Sequence, residues 1–149
     1  MTAQIIDGTA IAQKVRDEVK EKVAARIAAG KSQPGLATVL VGDRVDSAAY
    51  VGMKQKACAE LGMTSYHHPL PADINQEDLE KLIKELNADP KVNGILVQLP
   101  LPSHLDEERV LQLISIEKDV DGFSPINLGR LAQKGREPLF VPCTPFGCI

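Results

Sequence analysis

The stretch Gly94-Ile95-Leu96-Val97-Gln98-Leu99-Pro100-Leu101-Pro102 decides the fold. Gly94 breaks what precedes it, and Ile95 to Val97 form an apolar run too short for a helix. That run reads as a strand buried on both faces, as in the middle of a parallel sheet. Gln98 is the first polar residue and falls where the strand should end. Pro100 and Pro102 stop further pairing and bias the residues before them toward extended backbone. Open α/β sheets place ligand contacts at the carboxyl ends of such strands, so the sequence predicts a small-molecule site at Gln98.

Outward from that strand, helical and strand-like patterns alternate. Thr9 is a candidate cap for a helix in which Ile11, Val15, Val19, Val23 and Ile27 recur every four residues, ending near Gly30. Leu36 to Val41 is an apolar strand closed by Gly42 and Asp43. Asp46 is a candidate cap for a helix running to Leu61, stopped by Gly62. Met63 to His68 reads as extended. Asn75 caps a further helix that ends before Pro90, with Ile74 and Leu79 spaced as a hydrophobic staple. Asp106 opens a short helix containing Val110, Leu111 and Ile114. Beyond Glu117 the periodicity weakens and Gly and Pro become frequent. This order predicts an α/β fold of three layers, a mostly parallel sheet with helices on both faces.

Composition narrows the function classes. The 149 residues suit one domain, and 17 Lys and Arg against 20 Asp and Glu leave a net charge of −3. No basic tract or aromatic-rich stretch points to nucleic acid. The three cysteines, Cys58, Cys143 and Cys148, lack paired C-x-x-C spacing, so neither a disulfide framework nor a zinc site is expected. No apolar segment approaches membrane-spanning length, and the N-terminus carries no signal-peptide pattern. The expectation is a cytoplasmic protein with reduced thiols, no bound metal and no membrane partner.

Tyr50 and Lys54, four residues apart, share one face of the helix after the second apolar segment, with Ala57 and Leu61 continuing the stripe and Lys56 turned to solvent. In the first half of a helix the dipole disfavours an added cation. With partial burial this would lower the Lys54 pKa and fit it to proton exchange. The competing reading is a lysine that snorkels to water beside a packed tyrosine. Lys118-Asp119-Val120-Asp121-Gly122 puts two carboxylates in a turn that can reach the same sheet edge. Asp before Gly is also ordinary turn chemistry, and no further oxygen ligand with calcium-loop spacing accompanies it. Pro142-Cys143-Thr144-Pro145 reads as a stiff linker or a pocket wall. His67 and His68 point to opposite faces of an extended segment, which argues against shared metal ligation.

Together, Tyr50-Val51-x-x-Lys54-x-Lys56-Ala57-Cys58, Asn87-x-Asp89, the Gly94 to Pro102 stretch, Lys118 to Gly122 and Pro142 to Pro145 resemble the bifunctional methylenetetrahydrofolate dehydrogenase/methenyltetrahydrofolate cyclohydrolase family. The resemblance runs from Ile5-Ile6-Asp7-Gly8 to the last residue. Many members read Gly-x-x-Pro-Ala-Ser where this chain has Gly42 to Ser47. Here Ser47 is kept while Val45 and Asp46 depart, and Phe146 stands where a basic residue is common.

The resemblance implies NADP-dependent oxidation of 5,10-methylenetetrahydrofolate and hydrolysis of the methenyl product to 10-formyltetrahydrofolate, on a fold like the N-terminal domain of amino-acid dehydrogenases. It implies that Tyr50 stacks on the folate rings, that Lys54 transfers protons in the hydrolysis, that Gln98 orients Lys54 and that Asp121 binds the pterin. It adds Ser47, Leu99 and Pro100 to the substrate wall and Cys143 to the cofactor side of the cleft. It further implies a homodimer, a folate-binding catalytic domain over residues 1–140, and a linker beginning at 141–149 that leads to an NADP-binding domain absent from this chain. No G-x-G-x-x-G opens a helix after a strand in these 149 residues. Two alternatives stand beside this reading: a folate-binding or dimerisation fragment without catalysis, and, by fold analogy alone, the substrate domain of an amino-acid dehydrogenase.

Overall fold

The order of strands, rather than any one of them, sets where the site must lie. The computed structural model describes residues 5–148. In chain order its elements are α1 (Gly8–Ala28), β1 (Gly35–Val41), α2 (Val45–Glu60), β2 (Thr64–Leu70), α3 (Gln76–Ala88), β3 (Gly94–Val97), α4 (Glu107–Leu113), α5 (Pro125–Ala132) and α6 (Cys143–Cys148). The strands form one parallel sheet in the order β2-β1-β3. The chain therefore steps outward from β1 to β2 through α2, then back across β1 to β3 through α3. Right-handed crossovers taken in opposite directions put their helices on opposite faces of the sheet.

The packing agrees. Ala37, Val39 and Val41 of β1, with Ile95 and Val97 of β3, face Leu79, Ile83 and Leu86 of α3 and Val110 of α4 in the main core cluster. The alternate positions Thr38, Leu40 and Leu96 are buried on the other face. There α2 packs on β1 and β2 through its buried residues Ser47, Val51 and Cys58. The helix order predicts a topological switch between β1 and β3, and the crevice outside their carboxyl ends is the expected ligand position.

Four features of individual elements depart from expectation. The Gly94 strand is buried on both faces, as its apolar run requires, but β1 is the central strand; β3 lies beside it, and its other side is closed by a single parallel bridge between Ile95 and Asp119. The cap of α1 is Asp7, not Thr9: its carboxylate accepts from the Thr9 and Ala10 amides at 3.0 Å, leaving Thr9 inside the first turn. In α2 the cap position is held by Arg44 without a side-chain bond. Asp46 is the second residue of the helix, accepting from the Ser47 amide at 2.9 Å and pairing with Arg44 at 2.7 Å. The four-residue stripe of α1 also does not form one buried face, since only Val23 is buried while Ile11, Val15 and Ile27 are exposed. A strict four-residue repeat advances about 40° per step around a helix of 3.6 residues per turn, so the stripe winds away from any one neighbour. The Asn75 cap, accepting from Asp78 at 2.8 Å, and the burial of Leu79 beside half-buried Ile74 are as expected.

The weakly patterned segment after Glu117 is held by polar side chains. Lys118 Nζ donates to the carbonyls of Leu86, Asn87 and Asp89 at 3.0, 2.8 and 2.8 Å, satisfying the open end of α3. Asn87 ties that end to the end of α4, donating to the Leu113 carbonyl and accepting from the Ser115 amide. Among the described residues no helix is long and apolar enough to cross a membrane.

Gly35 and Gly52 make opposite predictions from one geometric criterion. A Cβ on Gly35 would collide with the Lys91 carbonyl oxygen, whereas one on Gly52, inside α2, meets nothing. Gly35→Ala should lower stability in urea denaturation by about 1–3 kcal/mol, the usual penalty of overpacking. Gly52→Ala should raise it by about 0.5–1 kcal/mol through helix propensity. Equal effects from the two would contradict the register of β1 against the 91–93 loop.

Candidate functional site

Side-chain alternation makes the site. Ile95 and Val97 point into the α3 face, so Leu96 and Gln98 point to the α2 face. The Gln98 amide still bonds to the Val39 carbonyl at 2.9 Å, one residue beyond β3, which fixes its side chain at the sheet edge. Lys54 comes down from α2 to meet it, donating from Nζ to Gln98 Oε1 at 3.1 Å. The amide is oriented in turn, since Gln98 Nε2 donates to the Leu99 carbonyl at 2.9 Å. This leaves Oε1 as the group facing the ammonium. Lys54 is half-buried and engaged, while Lys56 is exposed and pairs with Glu60 at 3.9 Å.

Tyr50, Lys54, Val97, Gln98, Leu99, Asp121, Phe123 and Thr144 line one cavity of about 390 Å³. Tyr50 does not pack into the core, as the competing reading would have it. The buried row of α2 runs through Ser47, Val51 and Cys58 instead, and Tyr50 on its flank is 58% exposed. Its ring is therefore available to a ligand. Burial pushes the Asp121 carboxyl above the ordinary carboxylate range; the Lys54 charge opposes that push and the Asp119 carboxylate adds to it. The cavity thus holds one amine, one amide, one carboxyl and a free aromatic face, a donor and acceptor set suited to a flat, polar heterocycle.

The two carboxylates of the Lys118 to Gly122 turn separate into different roles. Asp121 lines the cavity, whereas Asp119 is buried and bonded to the backbone that follows it. Leu99 lines the cavity; Ser47, Pro100 and Cys143 do not. Ser47 is buried in the first turn of α2, and Cys143 is exposed at the start of α6. Pro100, which follows a cis peptide bond, faces a neighbouring cavity of about 340 Å³ with Arg44 and Leu101. Sequence reasoning missed Phe123 and singled out only the segment around Thr144. The signals were present: Phe123 follows directly on the Asp-Gly turn, and Thr144 lies between Pro142 and Pro145 in the segment that reads as a pocket wall. No group of three or more His, Cys, Asp or Glu residues that could hold a metal occurs among the described residues.

The family model described as tetrahydrofolate dehydrogenase/cyclohydrolase, catalytic domain, matches residues 6–121. Bifunctional protein FolD 2 of Arabidopsis thaliana is 55% identical over 148 residues, which make up 99% of this chain and 50% of that protein. Bifunctional protein FolD 4, chloroplastic, of the same plant is 56% identical over 147 residues, 99% of this chain and 41% of that one. The solved methylenetetrahydrofolate dehydrogenase-cyclohydrolase of Trypanosoma brucei, complexed with NADP cofactor and inhibitor, superposes with a TM-score of 0.91 at 40% identity, covering 99% of this chain and 50% of that one. The chain spans about half the length of the relatives it matches.

The raised Asp121 pKa fixes the sign of a stability effect. Its folded pKa lies above the unfolded value, so the native state gives up the Asp121 proton less readily. The resulting penalty is absent below the unfolded pKa and grows as pH rises through the folded one. Asn carries no such penalty. Asp121→Asn should therefore raise Tm relative to the parent protein at pH 7, with the difference closing toward pH 3. Thermal unfolding at several pH values checks this; a Tm loss independent of pH would contradict it.

Proposed function

Because the chain belongs to the tetrahydrofolate dehydrogenase/cyclohydrolase family, through that family's catalytic domain, we propose that the cavity between α2 and the Gln98 strand end binds a reduced folate and hydrolyses its methenyl bridge. The observation that carries the reading is the hydrogen bond of Lys54 to Gln98, within one cavity shared with Tyr50 and Asp121. Tyr50 offers its ring face to the folate ring system. Asp121 pairs with the donor edge of the pterin, which a carboxylate can engage at two points.

In the proposed hydrolysis, water adds to the cationic bridge carbon and forms a carbinol, with Lys54 as the group that takes up the proton released. As the carbinol collapses, the bond from the bridge carbon to N5 breaks and N5 takes the proton from Lys54. The hydroxyl proton leaves to solvent and the formyl group stays on N10, so one net proton is released per turnover. Gln98 Oε1 keeps Nζ aimed at the reacting atoms, the positioning on which proton transfer depends.

For the whole protein the reading extends to oxidation of the methylene bridge with NADP as hydride acceptor. Pyrophosphate needs a backbone cradle at a helix start, and among the described residues no strand leads into a G-x-G-x-x-G helix. The lining cation, Lys54, is already engaged by Gln98. The residues described do not fit the cofactor, and no part of the hydride step is assigned to them. The reading keeps the domain division at residues 1–140 and 141–149. It includes a homodimer and a cytoplasmic setting; one relative is named chloroplastic.

Lys54→Met in the whole protein should abolish methenyl hydrolysis above the solution rate with the fold intact, because Met fills a similar elongated volume. Lys56→Met, on the exposed side of α2, should change little. Stopped-flow loss of methenyl absorbance checks both. Substantial hydrolysis by a folded Lys54→Met protein would sink the assignment.

A further inference from the structure

The Asp119 carboxylate has no contact with the cavity, yet it is held by more bonds than any group in it. It is 3% exposed and accepts from the Phe123 amide at 3.2 Å, the Ser124 amide at 2.8 Å and Asn127 Nδ2 at 2.8 Å. Its backbone carbonyl accepts from the Gly122 amide at 3.1 Å. These bonds close a loop around Val120 to Gly122 and leave Asp121 at its apex. Asn127, 0% exposed, passes the constraint on: its Oδ1 accepts from the Leu139 amide at 2.9 Å and the Phe140 amide at 3.5 Å. The segment tied down in this way runs through buried Pro142 into α6, whose Thr144 lines the cavity. The two walls also touch directly, since a Cβ on Gly122 would come within 2.8 Å of the Phe140 oxygen and 3.0 Å of the Pro142 nitrogen.

We propose that Asp119, acting through Asn127, is a positioning residue that holds both the Asp121 wall and the Thr144 wall of the cavity in register with Lys54 and Gln98. A buried carboxylate is tolerated only when its oxygens are satisfied, so the loop, the amide and the 139–142 segment hold together as one unit. The Ile95–Asp119 bridge fastens that unit to β3, three residues before Gln98. Asp119 therefore links the strand that carries Gln98 to the turn that carries Asp121. Its negative charge also raises the proton affinity of Asp121, a second route by which it acts on the same residue. The ligand-binding side of this inference rests on the folate reading above; the positioning itself does not.

The test uses Asp119→Asn and Asn127→Ala in the whole protein, with Ile83→Val in the core beneath α3 as a mildly destabilised control. Without ligand, NMR follows the Asp121 carboxyl titration and the Thr144 amide. Asp119→Asn should move the Asp121 midpoint down, and both Asp119→Asn and Asn127→Ala should shift the Thr144 amide, while Ile83→Val moves neither. With ligand, affinity for 5-formyltetrahydrofolate at a temperature where each variant is folded should fall by about tenfold or more in both, and the KM for methenyl hydrolysis should rise, as misplaced contacts dictate. Should Asn127→Ala fail to fold, Asp119→Asn decides alone, since it keeps the shape of the side chain. Unchanged Asp121 and Thr144 signals in folded Asp119→Asn would overturn the proposal. If the parent protein does not bind the folate while the ligand-free signals move as stated, the folate reading fails and the positioning stands.

Discussion

The register of β3 against β1 is the constraint on which the site depends. A slip of one residue would turn Gln98 to the α3 face and Val97 toward α2, and Lys54 would lose its partner. Several features oppose that slip. Ile95 and Val97 are committed to the main core, the Gln98 amide continues the ladder to Val39, and a Cβ on Gly94 would meet the Val120 and Leu36 side chains. The strand is only four residues long, so the bridge from Ile95 to Asp119 matters out of proportion to its single pair. The position of Gln98 is thus set by apolar packing beneath it and by a buried carboxylate beside it.

Chemistry at the edge of the sheet then follows from contrast between neighbours. Asp119 and Asp121 are separated by one residue but differ in every bond they make. Asp119 has its oxygens engaged by the backbone and by Asn127, and works as a fastener. Asp121 lines the cavity, is pushed up by burial, and shares that space with Lys54. A carboxyl that is costly to ionise and lacks a structural task is the pattern expected where stability has been given up for binding. Lys54 and Lys56 repeat the contrast on α2, one engaged at the cavity and the other solvated.

Much of this was legible in the residues. The short apolar run ending in Gln98, the shared helix face of Tyr50 and Lys54, and the alternation of strands and helices led to the parallel fold and to three of the residues at its edge. What failed did so for identifiable reasons. Spacing within one helix does not say which neighbour its stripe will meet: Tyr50 lies on the flank of the buried row of α2, and the α1 row winds away from the core with only Val23 buried. The centrality of β1 depends on strand order, which no local pattern encodes. Beyond Glu117 the structure is held by long-range polar bonds from Lys118, Asp119 and Asn127. Such bonds leave no periodicity to read, and they are what bring Phe123 and Thr144 to the cavity.

The central claim is that the cavity at Gln98, and not the neighbouring one at Arg44 and Leu101, receives the folate. Side-chain and backbone NMR of the whole protein during titration with 5-formyltetrahydrofolate tests this most directly. The account predicts saturable shifts of the Gln98 side-chain amide together with Tyr50, Asp121 and Thr144, with Ala72 and Leu101 unmoved. Shifts concentrated at Ala72, Leu101 and Ser103 that leave the Gln98 amide in place would contradict it.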